Sequence, residues 1–189
     1  MGPEGRTYVP ASPRVAHESS RERRTREASV SLTVPVGSDH QLARLLQIGV
    51  VLEEVVEARA AKHATLSEAD LDEEVRAMLA GASEESAEHR ARLEELIDEL
   101  DAETVPFEEI ETLVEAQYEV ERDFDGVLYD QLCNEETAYK FYDDLIEAIE
   151  ASDVDFGVDR DSVLATLKEI REEEAEGAEE VTKLMEANR

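Results

Sequence analysis

Between Arg44 and Glu57 the chain places apolar residues on nearly every side of a helix: Leu45, Leu46, Ile48, Val50, Val51, Leu52, Val55 and Val56. Only the charges of Glu53 and Glu54 interrupt them. A helix that is apolar all round is buried on more than one face, so this one is expected to pack inside a bundle and against a partner subunit. Ser38 or Asp39 can cap its start, and the pattern runs to about Lys62. A second helix is announced by Ser67-Glu68-Ala69-Asp70, an N-cap with an acid three residues on. Val75, Leu79, Ala82, His89, Leu93 and Leu96 carry it to about Leu100, with Gly81 inside. Thr104-Val105-Pro106-Phe107 predicts a connecting helix to about Arg122, because proline suits a first helical turn. A third bundle helix is predicted from about Asp125 to Ala151, broken by Ser152 to Val158. Asp159 or Asp161 then caps a last helix carrying Val163, Leu167, Ile170, Val181 and Leu184. No strand pattern occurs, so the fold class expected is all-α: a four-helix bundle of two hairpins with one long crossover.

The two hairpins read as copies of one another. Val75 to Leu96 lies over Val163 to Leu184 without a gap, matching at Val75/Val163, Ala77/Ala165, Leu79/Leu167, Ala87/Ala175 and Leu96/Leu184. Further matches at Glu84/Glu172, Glu85/Glu173 and Glu88/Glu176 count for little in so acidic a chain. The apolar matches hold one helical stripe in both copies, which points to an internal duplication. Ahead of each copy, Leu45 to Glu54 lies over Val127 to Glu136. Each half is therefore a helix with a Glu pair, Glu53-Glu54 or Glu135-Glu136, followed by a helix with a Glu cluster.

Charge changes the picture next. The 189 residues hold 49 acids against 19 Lys and Arg, a formal charge of −30. Nucleic acid is an unsuitable partner for such a surface. Its self-repulsion is tolerable where salt screens charge to roughly 3 Å, as at 1 M, so a salt-loving origin is expected. The melting temperature should then rise from low salt to molar KCl; greater stability at low salt would remove the idea. Cys133 is the single cysteine, which excludes a disulfide framework and suits a reducing cytoplasm. No apolar run approaches the ~20 residues that span a bilayer, so no membrane association is expected. Residues 1–37, with Pro3, Pro10, Pro13, Pro35 and Arg21 to Arg26, read as a disordered tail ahead of a 38–189 bundle. Arg23-Arg24 before a short stretch of Ala, Ser and Val is a faint trace of a twin-arginine signal; a floppy extension or an upstream start codon is the plainer reading.

With the Glu pairs and the duplication in hand, the chain resembles the ferritin-like superfamily, and within it the rubrerythrin-type proteins, from about Leu42 to Leu184. That resemblance implies a bundle in which each half supplies one Glu and then a Glu-x-x-His pair, holding two iron or manganese ions. Asn134 to Tyr142 looks like the family's metal-binding third helix, with Glu135 or Glu136 as ligand, and Glu53 or Glu54 is similar in position on the first. The second members depart from the pattern. His89 stands at the His position, but Ser86 precedes it by three; Glu174 stands at the other Glu position, but Gly177 follows it. A shifted site would use Glu85 with His89, and Glu173 with Glu176. The metal-ligand set expected is thus Glu53, Glu54, Glu85, His89, Glu135, Glu136, Glu173 and Glu176, an oxygen-rich set suited to Fe or Mn.

The resemblance implies oxidation of ferrous iron or reduction of peroxide, with an external electron donor, since the four cysteines of a rubredoxin-like domain are absent. The alternative is a metal-free ferritin-like scaffold or interaction bundle that has lost its ligands, or glutamates that are merely solvated helix faces. Against the last, Glu53-Glu54 and Glu135-Glu136 interrupt apolar surroundings, where an unpaired carboxylate is expensive. Arg59, His89, a bound metal or mutual protonation are the candidates to neutralise them. A homodimer through the first helix is expected. His17, His40 and His63 read as surface or helix-capping residues, Cys133 as a small apolar group, and Tyr139 and Tyr142 as core residues or partners of a metal site.

Overall fold

Ser38 sets the first helix in register: its hydroxyl accepts from the Gln41 backbone amide at 3.2 Å. In a computed structural model of the chain, which describes residues 34–65, 71–100, 102–106 and 126–188, four helices follow. They are α1 (Asp39–Ala64), α2 (Glu73–Glu99), α3 (Val127–Glu150) and α4 (Arg160–Ala187). Asp72 and Asp159 cap α2 and α4 by accepting from Glu74 and Ser162 amides, and acids in the first turns favour the positive helix ends. No strand occurs among the described residues.

The helices pair as hairpins, α1 with α2 and α3 with α4, and the hairpins close into a four-helix bundle. Gly49 permits a close approach, since a Cβ there would lie 3.0 Å from Leu93 of α2 and 3.2 Å from Phe141 of α3. A large apolar core joins Leu42 to Val50 of α1, Leu93 to Leu100 of α2, Ala138 to Ile149 of α3 and Val163 to Ile170 of α4. A smaller core at the other end joins Val75, Met78 and Leu79 to Val181 and Leu184, with Leu128 and Leu132 against them. Read along each helix, these clusters fix direction: α1 and α4 run from the large core to the small one, and α2 and α3 run back. The end of α2 and the start of α3 therefore lie at opposite ends of the bundle. Beyond α2, the backbone of Val105 is held on both sides by the Gln47 side-chain amide, at 2.7 and 3.1 Å.

Burial repeats between the copies. Val75 and Val163, Leu79 and Leu167, and Leu96 and Leu184 are buried, while Ala77 and Ala165 are exposed. Two boundaries differ from expectation. Val36, assigned from sequence to the tail, is buried in the large core and accepts from the Ser152 hydroxyl at 2.6 Å, so the bundle begins before residue 38. Residues 1–33 of that tail lie outside the described residues, as do Ser67 to Asp70 and most of the connecting helix expected at 104–122. The cap of α2 is Asp72 rather than Ser67. Among the described residues no helix is long and apolar enough to cross a membrane.

Candidate metal centre

Between the two apolar cores every helix contributes a polar side chain to one buried layer. Glu53 of α1 is 0% exposed, His89 of α2 1%, Glu174 of α4 3% and Glu135 of α3 6%. Buried Ser86 and Gln131 complete the layer, with half-buried Glu85 and Glu173 at its edge. Two triads of donor atoms share His89: Glu53, His89 and Glu174 inside, and Glu85, His89 and Glu173 further out, with the donor atoms of each triad within 4.8 Å of one another.

His89 organises the charges. Its Nδ1 lies 2.9 Å from Glu174 Oε1 and 3.6 Å from Glu53 Oε2, and its Nε2 lies 2.9 Å from Glu173 Oε2. Burial alone would strip its proton, but the Glu174 and Glu53 carboxylates outweigh burial and push His89 up to about 10. Burial pushes Glu174 up to about 9, with His89 opposing and the charges of Glu53 and Glu135 adding to the rise. Burial also raises Glu135, against hydrogen bonds from Gln131, at 2.5 Å, and from Glu174. Glu85 is likewise raised by burial. At Glu173 the Arg92 guanidinium, aided by His89, overcomes partial burial and holds the carboxyl low. The Tyr142 hydroxyl, pushed well up by burial and by Glu53, donates to Glu53 Oε1. Of the neutralising partners expected, His89 is the one that reaches Glu53 and Glu174. Arg59 reaches Asn134 and Asp130.

Two atoms of the inner triad lack a hydrogen bond. Glu53 Oε2 and His89 Nδ1 are buried without one, although Nδ1 stands in an ion pair with Glu174 at 2.9 Å. A buried polar atom left unsatisfied is costly. Carboxylate oxygens and one imidazole nitrogen with donor atoms within 4.8 Å of one another can hold a common cation, and an oxygen-rich set of this kind suits iron or manganese.

Of the eight expected ligands, the structure brings Glu53, Glu85, His89, Glu135 and Glu173 to this layer. It does not bring the other three. Glu136 and Glu176 are exposed, each one or two helical positions round from the inward stripe, and half-buried Glu54 stands outside both triads. In α4 the buried carboxylate is Glu174, and not Glu176. Gly177 explains its setting. A Cβ at Gly177 would lie 2.5 Å from Glu135 Oε2, so the space above Glu174 is taken by a carboxylate reaching across from α3.

Comparison of the chain with protein-family models, curated proteins and solved structures gave no match. The site's own geometry is therefore what supports a function.

Proposed function

We propose that this layer holds one or two iron or manganese ions and that the protein is a metal-dependent oxidoreductase of the rubrerythrin type. It would oxidise ferrous iron or reduce peroxide with electrons from an external donor. The observation that carries this reading is the convergence of Glu53, His89 and Glu174 from three helices in the buried layer, with donor atoms within 4.8 Å of one another and Glu53 Oε2 left without a hydrogen bond. Glu53, His89 and Glu174 would hold one ion, and Glu85 and Glu173, with Glu135 alongside, would serve a second position or the edge of the first. The bound metal would supply the redox couple that none of these side chains has. The chain's own part is positional. Tyr142 fixes one oxygen of Glu53, Arg92 fixes Glu173, Gln131 fixes Glu135, and the apolar cores above and below exclude water. A homodimer covering exposed Ile48 on α1, in a salt-rich reducing cytoplasm, completes the reading.

A second reading has its own observation. His89 as an imidazolium, with a proton on Glu174, balances the layer without an ion, as a metal-free scaffold would require. Elemental analysis of protein purified without chelators, from cells grown with iron and manganese, separates the two. Roughly one metal ion per chain or more supports the centre; none supports the scaffold.

A further inference from the structure

A cavity of about 360 Å³ opens between α2 and α4 at the small-core end of the polar layer. Small residues make its walls: Ala77, Gly81 and Ala82 on α2, and Gly177 on α4. Glu85 and Glu135 line it where it meets the layer, and Glu74 and Glu180 are exposed residues on its lining. We infer that this cavity is the route by which a hydrated divalent cation enters the bundle, with Gly81 and Gly177 keeping it open. The inference rests on the metal-centre reading above and adds the path to it.

Three observations carry it. The first is size: the volume has room for roughly a dozen waters at ~30 Å³ each, enough for an ion that keeps its hydration shell until it meets the inner carboxylates. The second is where the cavity leads. Glu135 belongs to the buried layer and Glu85 to the outer triad, so an ion that reaches them has reached the centre. Gly177 matters here because any side chain would collide with Glu135, whereas a Cβ at Gly81 would meet nothing within 4 Å. The third is charge. The ionisable groups lining the cavity are all carboxyls, which concentrate cations at a cleft. On the side where half-exposed Glu173 meets His89, the Arg92 guanidinium clamps Glu173 and opposes a cation's approach.

The test uses the full chain freed of metal and then given Mn²⁺, with uptake timed by chelator quench and affinity measured by calorimetry. Gly81→Leu places a side chain in open space, and it also removes a glycine from a helix interior, so the fold should be kept. Mn²⁺ uptake should slow on the order of tenfold as the path narrows, with equilibrium affinity unchanged. Glu74→Gln with Glu180→Gln should slow uptake about threefold to tenfold at low salt, and the difference should vanish in molar KCl. Circular dichroism checks the fold; if Gly81→Leu perturbs it, the charge variants decide alone. Uptake as fast as wild type in these variants overturns the route while leaving the centre standing, as does lost affinity without slower uptake. A wild-type chain that binds no Mn²⁺ at equilibrium overturns the centre, and the route with it.

Discussion

His89→Ala is expected to remove metal retention and to lower the free energy of unfolding by about 3–5 kcal/mol, the cost of breaking a buried ion pair from one side. The imidazole is the one base within the inner triad, standing between Glu53 and Glu174 and reaching Glu173 with its other nitrogen. Without it, the carboxyls of α1 and α4 face one another across a void, and the neighbouring cation, Arg92, is committed to Glu173. His63→Ala is the contrast. That imidazole is 3.8 Å from Asp130 at the end of α1 and partly exposed, so its loss should cost about 0–1 kcal/mol. Urea unfolding of both variants, with metal content measured on the same preparations, makes the comparison. Equal costs would mean that the buried layer does not depend on its histidine.

The metal-free protein should lose stability as the pH rises from 6 to 9, and added Mn²⁺ should reverse the trend. The sign follows from two raised groups. Glu174 moves from an ordinary value of 4.5 to about 9, so the folded state holds a proton that the unfolded chain releases; that contribution is complete below 4.5 and gone above about 9. His89 moves from 6.5 to about 10, and its contribution, complete below 6.5, fades over that interval. Glu173, held low, works in the opposite sense and matters only below its ordinary 4.5. For these groups the optimum should therefore fall near the ordinary carboxyl value of 4.5, with the steepest loss between pH 6.5 and 9. Metal ligation needs these groups without their protons, so the stabilisation by Mn²⁺ should grow with pH. Urea midpoints at several pH values, with and without Mn²⁺, give both slopes. A midpoint that rises with pH in the absence of metal would contradict this protonation pattern.

Much of the architecture was legible because the periodicity is strict. In α4 the inward stripe steps through 163, 167, 170, 174, 177, 181 and 184, and in α2 through 75, 79, 82, 86, 89, 93 and 96. Glu174 and His89 lie on those lines, as Glu53 lies on 42, 46, 49, 53, 56 and 60. Glu54, Glu136 and Glu176 lie off them. The register thus held enough information to choose Glu53 over Glu54, Glu135 over Glu136 and Glu174 over Glu176. The shifted-motif expectation, Glu173 with Glu176, passed over Glu174 because Gly177 follows it where the motif has a histidine, whereas the structure fills the space at Gly177 with Glu135 from another helix. Contacts of that kind leave no local trace. The anchoring of Val36 by Ser152, 116 residues away, is another: the residues around Val36 look like a tail until the far end of α3 is seen beside them.

The polar layer divides the hydrophobic interior into a larger and a smaller half, coupled chiefly through a charged waist. The smaller half has few buried side chains of its own, so a cation bound at the waist would tie its helices to the rest more firmly than its apolar contacts do alone.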